Sequence, residues 1–217
     1  DYLLAIYRLQ ADGSPASTTA LAERLGVAPA SVSGMVRKLD RDDLVDHVPY
    51  HGVVLTGAGE REALRLLRRH RLWEVFLSQT LGLPWDEVHP EADRLEHATS
   101  DRVADLLATF LDEPQEDPHG QRIPHRDGSL PSRSSLKLLD VEAGGQVRVV
   151  EIPDDDPDLL RTLDALGLLP GVSLRVADHS PSQGHLTLNI GSDVCRLDYA
   201  AASRVYVNGI DRSRGGV

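Results

Sequence analysis

His70 and Glu74 stand four residues apart, a spacing that puts an imidazole and a carboxylate on one face of a helix. His89, Asp93, Glu96 and His97 follow at i, i+4, i+7 and i+8, a second single stripe if a helix has begun by His89. Imidazole nitrogen mixed with carboxylate oxygen is the donor set that divalent Mn, Fe, Co or Zn accepts. Taken singly, such residues are ordinary surface pairs worth about 0.2–0.5 kcal/mol. Six of them on two successive, otherwise apolar helices call for a cation, because carboxylates desolvated side by side repel one another. Asp1 heads the first helical pattern and adds a further carboxylate if that helix crosses the pair.

The elements that carry these residues follow from periodicity. Residues 2–10 (YLLAIYRLQ) repeat apolar positions at helical spacing and stop at Asp12-Gly13. Thr18 and Thr19 are the expected N-caps of TALAERLGV, which ends near Gly26. Pro29 opens ASVSGMVRKLDRDDLV, with Val32, Met35, Val36 and Leu39 on one face. DHVPYHGVVLT then reads as two short strands around Tyr50-His51-Gly52, a wing. Thr56 is the expected cap of a long helix, GAGEREALRLLRRHRLWEVFLSQTL, and the pattern predicts one further helix over roughly Trp85 to Leu111, started or interrupted near Pro90. Residues 113–135, rich in Pro, Gly and charge, read as a linker or long irregular connection. Beyond them the period falls to two: QVRVVEI, VSLRVAD, HLTLNI, VCRLDY and RVYVN are short strands, with the helix DPDLLRTLDALGL among them, which suggests a small barrel. The expected class is mainly α with a small β domain.

The first 45 residues carry a helix–turn–helix pattern, TTALAERLGVAPASVSGMVRKLDRDDLV. On its second helix Pro29, Ala30, Ser31, Ser33 and Gly34 are small enough to approach base edges, where Ala and Ser can touch a thymine methyl or donate to a base. Arg37, Lys38 and Arg41 lie further along and suit phosphates, which fix register without reading sequence. Arg61, Tyr50 and His51 are secondary phosphate candidates. A helix pair with a Gly turn also serves protein contacts, but the hairpin that follows and the exposed small residues favour DNA. The net charge of −11 at first argues against nucleic acid. It is unevenly placed: residues 1–75 hold 10 Lys+Arg against 10 Asp+Glu, and residues 76–217 hold 13 against 24. Charge therefore permits DNA binding without establishing it. An apolar fraction of 41% with 26% charged residues is that of a globular protein, and no run approaches the roughly 18 apolar residues of a membrane span. No segment resembles a signal peptide, and a single cysteine, Cys195, fits a reducing cytoplasm, the expected location.

Taken together, RRHRLWEVFL, VHPEADRLEHATSD, DRDDLV and the wing ending VVLTGAG resemble the diphtheria toxin repressor family of iron- and manganese-dependent transcription regulators, over nearly the whole chain. The resemblance implies a winged helix–turn–helix domain at 1–64, a helical metal-binding and dimerisation domain with linker at 65–135, and a C-terminal SH3-like barrel at 136–217. It implies a homodimer on a palindromic operator in double-stranded DNA, no membrane partner, and metal-ion transport genes as targets. By position, Asp1, Asp93, Glu96 and His97 correspond to the family's primary metal site, and His70, Glu74 and His89 to its ancillary site. Barrel-bearing members add ligands from the barrel, for which PDDDPDLL offers Asp156 or Asp158. Iron-responsive members resemble one another in placing Met and Cys where this chain has Asp1 and Asp93. Exchange of both sulfur donors for hard oxygen points to Mn(II) ahead of Fe(II). Manganese-specific members with a paired site carry Glu one turn into the first helix, where this chain has Leu4, so a close binuclear arrangement there is not expected.

The expected mechanism is a metal-linked conformational equilibrium that sets the spacing of two recognition helices. A metallohydrolase built on the same cluster is the rival from another class, but no separate nucleophile or general-base motif accompanies it. A metal-independent winged-helix regulator with a solvated acidic face is the other rival, and it predicts no stoichiometric heat on metal titration.

Overall fold

The computed structural model describes residues 1–10, 13–48, 51–180 and 183–210, and groups them into two units, Asp1–Arg69 with Pro124–Leu130 and His70–Ile123 with Pro131–Val217. In the first unit α1 (Tyr2–Leu9), α2 (Thr18–Leu25) and α3 (Pro29–Arg41) precede the antiparallel pair β1 (Val45–Val48) and β2 (Gly52–Leu55). Ser17, not Thr18 or Thr19, caps α2: its backbone is still extended and its hydroxyl accepts from the Ala20 amide at 3.0 Å. The two threonines already lie within the helix. Gly26 closes α2 in the left-handed region at φ 63°, and Pro29 is the first residue of α3. Val32 and Val36 face inward with Ile6, Leu21 and Val53, all without measurable exposure. Each fully buried side chain of this size contributes about 1.5–3 kcal/mol, which fixes α3 against α1 and α2 and leaves its opposite face outward. Tyr50 lies outside the described residues.

The Thr56 hydroxyl accepts from the Gly59 amide at 3.1 Å, as expected of a cap, and α4 runs Gly57–Val75 before a wider π-type turn, Phe76–Thr80. In the second unit the single helix expected over Trp85–Leu111 is two, α5 (Val88–Glu96) and α6 (Asp101–Phe110). The break has a local cause. Thr99 turns its hydroxyl back to the Leu95 carbonyl at 2.7 Å, and Ser100, in extended conformation, caps α6 by accepting from the Val103 amide. Pro90 sits in the first turn of α5, where its missing N–H leaves no helical bond unmade.

The five strands read from the period of two are β4 (Gln146–Glu151), β5 (Ser173–Ser180), β6 (His185–Ile190), β7 (Asp193–Asp198) and β8 (Tyr206–Gly209), and a short β3 (Leu136–Lys137) precedes them. They form one antiparallel sheet of order β3-β8-β4-β5-β6-β7. The predicted helix is α7 (Pro157–Ala165), and a turn of helix, α8 (Tyr199–Ala202), links β7 to β8. Alternate residues such as Val147 and Val149 point into a core shared with Leu160 and Leu163 of α7. The architecture is a winged helix, a helical domain and an SH3-like β domain. No helix among the described residues is long and apolar enough to cross a membrane.

Candidate metal centre

His70 and Glu74, one turn apart near the end of α4, are both buried, as is Glu96 at the end of α5. His89 enters from the first turn of α5. His70 Nε2 lies 3.0 Å from Glu74 Oε1 and 3.0 Å from His89 Nδ1, and His89 Nδ1 lies 3.3 Å from the same Glu74 oxygen. Asp154 Oδ2 completes the group, 3.1 Å from His89 Nδ1 and 3.8 Å from His70 Nε2. Donors about 2.1 Å from one octahedral ion stand about 3.0 Å from one another, so the four atoms have the separations that a shared cation requires.

The other edge of the His70 ring faces a second set. Nδ1 is 2.8 Å from Glu96 Oε2 and 3.3 Å from Asp93 Oδ1. Glu96 Oε1 in turn lies 3.4 Å from His97 Nε2. Asp93 and His97 are about half exposed, whereas Glu96 is not. One imidazole thus stands between a closed donor set and an open one. Asp1, the remaining carboxylate of the predicted set, belongs to the first unit; it is the exposed N-cap residue of α1 and makes no capping hydrogen bond with its side chain.

Asp154 is the ligand-type residue that sequence reading missed. The run PDDDPD divides its acids by geometry. Asp155 and Asp156 pair with Arg204, and Asp156 also caps α7 by accepting from the Leu159 amide at 3.0 Å. Asp158 pairs with Arg161. Neither Asp156 nor Asp158 is part of the cluster: Asp156 is held by its capping bond and Arg204, and Asp158 lies in the first turn of α7 against Arg161. Asp117 and His119 were missed too. They come from the connection expected to be irregular, and both are buried, with His119 Nδ1 3.9 Å from Glu74 Oε2. Arg71 holds that connection by donating to the Arg122 carbonyl and to Gln121 Oε1 at 2.5 Å. Gly120, at φ 77°, passes so close to the Val150 carbonyl that a Cβ would sit 2.1 Å from its oxygen. The one signal in the sequence was His119-Gly120 itself, a ligand-type side chain beside an obligatory glycine.

The electrostatics fit a divalent cation. Burial opposes a charged His70, but Glu74, Glu96 and Asp154 outweigh it and raise its pKa to about 9. Burial likewise opposes a charged His89, and Asp154 and Glu74 raise it to about 10. Burial pushes Glu74 up, yet the two imidazoles bring it down to about 2. Burial and then Glu74 push the Asp117 carboxyl well above its usual range, against the pull of Arg71. In the absence of metal, protons on two imidazoles supply the positive charge that the carboxylates demand. Glu74 Oε2 is buried without a hydrogen bond among the described residues. Nitrogen and oxygen donors, with no sulfur, suit Mn(II), Fe(II), Co(II) or Zn(II).

The predicted DNA-facing residues lie together on α3. Pro29, Ala30, Ser31, Gly34, Arg37, Lys38 and Arg41 are exposed and Ser33 is half-buried. Ser33 spends its hydroxyl on the Pro29 carbonyl at 3.1 Å, and Arg37 Nε reaches the Ser33 carbonyl at 3.1 Å.

Comparison with known proteins agrees with this layout. Residues 1–53 match the family model of the iron-dependent repressor N-terminal DNA-binding domain, residues 56–125 that of its metal-binding and dimerisation domain, and residues 136–209 the FeoA domain. The iron-dependent repressor IdeR of Mycobacterium leprae is 32% identical over 218 residues, covering 95% of this chain and 94% of its own length. The transcriptional regulator MntR of Oceanobacillus iheyensis is 38% identical over 117 residues, covering 52% of this chain and 79% of its own. A solved manganese-dependent transcriptional repressor in complex with manganese superposes with a TM-score of 0.91 at 39% identity, covering 97% of this chain and 99% of that one. The winged helix and these matches make the protein a DNA-binding regulator that depends on metal, not an enzyme. It belongs to the iron-dependent, or diphtheria toxin, repressor family, whose members bind operators as dimers.

Proposed function

We propose that the protein is a Mn(II)-activated repressor of metal-ion transport genes, acting in the cytoplasm, with Fe(II) as the alternative activator. The observation that carries this reading is the double engagement of His70, Nε2 toward Glu74, His89 and Asp154 and Nδ1 toward Glu96 and Asp93. In this reading His70, Glu74, His89 and Asp154 hold one ion, and Asp93, Glu96 and His97 hold another. Asp1 is assigned to the second set by sequence resemblance alone. A bound cation supplies the positive charge that the two imidazoles otherwise carry as protons. Hard oxygen at Asp1 and Asp93 favours Mn(II), and the manganese-bound relative of 39% identity supports the same choice. Because affinity is linked both ways, the operator must tighten metal binding by the factor with which metal tightens operator binding. Operator binding titrated with Mn(II) and with Fe(II) separately, under anaerobic conditions, tests the assignment; half-saturation at lower Fe(II) than Mn(II) would reverse it.

On α3, Gly34 has open space around it: an added Cβ would meet nothing within 4 Å. Gly34→Leu should therefore keep or raise helix stability, by up to about 1 kcal/mol, while blocking close approach to the groove. The expected result is an unchanged or higher melting temperature with operator affinity down about 10–100-fold, measured by fluorescence anisotropy. Full affinity in this variant would remove α3 as the reading helix.

For the dimer, α6 presents Val103, Leu106 and Phe110 at i, i+3 and i+7, all exposed in the single chain. A second copy is their proposed cover. Leu106→Glu with Phe110→Asp is expected to raise the dimer dissociation constant about 100-fold or more, as read by sedimentation equilibrium. An unchanged dimer would move the interface elsewhere.

A further inference from the structure

The connection between α6 and β3 leaves the second unit at Ile123, contributes Pro124–Leu130 to the first, and returns at Pro131. Within the first unit this segment is a closed loop. The His125 amide donates to the Ser129 carbonyl at 2.8 Å, and the Gly128 amide to the His125 carbonyl at 3.0 Å. Asp127 Oδ1 accepts from both the amide and the hydroxyl of Ser129, at 2.8 and 2.6 Å. Gly128 supplies the φ of 83° that the turn requires. The tip, His125 to Asp127, is exposed, whereas Pro124 is buried and Leu130 half-buried.

Both ends of the loop are held. Arg68 of α4 donates to the Pro124 carbonyl at 3.2 Å. One turn further along α4, Arg71 donates to the Arg122 carbonyl, so alternate carbonyls on the way into the loop are fixed by arginines of one helix. At the other end Leu130 packs against the cluster that Leu4 of α1 forms with Ala63, Leu64 and Leu67 of α4, which Leu3 and Tyr7 also adjoin.

The helix gripped in this way is the one that carries the reading head. Ala5 and Ile6 of α1 are buried with Leu21 of α2 and with Val32 and Val36 of α3. At its other end Gln10 Oε1 accepts from the Leu55 amide of β2 at 3.0 Å, which ties α1 to the wing. An eight-residue helix is too short to hold its place alone. What α1 packs on therefore sets where α3 stands on the α4 segment of this unit.

We propose that the loop Pro124–Leu130 is a clip that holds α1 on α4, with Leu130 as its positioning residue, and so fixes the reading helix for operator binding. The proposal rests on metal-dependent operator binding, whichever ion activates the protein. Loss of the clip lowers the fraction of metal-bound protein in the DNA-ready arrangement, and apparent operator affinity falls by that fraction.

The test compares Leu130→Ala and Leu130→Met with the unaltered chain, at saturating Mn(II) and, under anaerobic conditions, at saturating Fe(II). Fluorescence anisotropy of a labelled operator and hydrogen exchange of the α1 amides are read on each. Leu130→Ala is expected to weaken operator binding about 10-fold and to speed exchange in Tyr2–Leu9, while α2 and α3 keep their protection. Leu130→Met keeps the side-chain volume and should restore both. Asp127→Ala with Ser129→Ala opens the turn at its tip without touching the core and should act in the same direction; it carries the test should Leu130→Ala not fold. A lowered melting temperature with operator affinity within about threefold makes Leu130 an ordinary packing contact and overturns the proposal. Weakened binding with unchanged α1 exchange overturns it as well. The activator is judged separately, on the unaltered chain: no response to Mn(II) overturns the metal proposed above, and the clip is then read with Fe(II).

Discussion

Replacing His70 with Ala is expected to abolish Mn(II)-dependent operator binding, the largest loss from any single side chain of the cluster. His70 has one ring nitrogen within 3.0 Å of a buried carboxylate in each donor set, so the substitution removes a ligand atom from one and a buried hydrogen-bond partner of Glu96 from the other. Loss of an outer partner alone typically costs about 10–100-fold in metal affinity. Loss of a ligand as well should bring the apparent affinity down by about 100-fold or more, about 2.7 kcal/mol. The measurement is fluorescence anisotropy of a labelled operator at fixed protein while Mn(II) is raised. A half-saturation point within threefold of the unaltered protein, by rough allowance, would sink the assignment. The same variant should be less stable without metal, since Glu74, Glu96 and Asp154 lose their internal cation. Breaking a buried pair in this way costs about 3–5 kcal/mol while the partner charges persist. Circular dichroism in the cold separates loss of metal response from loss of fold.

His70 and Glu74 were legible in the sequence because one helix carries both, and helical geometry converts a spacing of four into a shared face. His89, Asp93 and Glu96 were legible for the same reason on α5, even though the helix ends sooner than its periodicity suggests. Ser100 was a visible cap, but apolar spacing continues through it and conceals the break. Asp154, Asp117 and His119 were not legible in this way. They reach the cluster from irregular backbone, whose path no period encodes. Among three consecutive aspartates of identical chemistry, only the end of β4 at Glu151 and the α7 cap at Asp156 decide which carboxylate turns inward. The barrel strands were readable from their alternation, while β3 is two exposed residues that pair only because β8 offers an edge. Spacing therefore shows ligand-type residues that share an element, and misses those delivered by a turn.

The raised pKa values of His70 and His89, about 9 and about 10, make metal binding a proton exchange. Ligation through His70 Nε2 and His89 Nδ1 requires both lone pairs, so near neutral pH about two protons must leave for each ion that enters this set. The logarithm of apparent affinity should then climb with pH at a slope approaching two, about 100-fold per unit, from about 6.5 to 9, and level off above about 10. Glu74, at about 2, is ionised throughout this range and adds no proton of its own. Stability of the metal-free protein follows the opposite course. Both imidazoles have folded values above their unfolded one, so their contribution is complete below about 6.5 and lost as pH rises through 9 to 10. The Glu74 contribution, from a lowered value, is present above about 4.5 and lost only as pH falls toward 2. The melting temperature gained on adding Mn(II) should therefore widen between pH 6.5 and 9, because metal replaces a charge that the bare cluster is losing. Calorimetric titration in two buffers of different ionisation enthalpy counts the protons directly. A count near zero at pH 7, with affinity flat across the range, would mean that the imidazoles enter the cluster already neutral and that the carboxylates alone draw the ion.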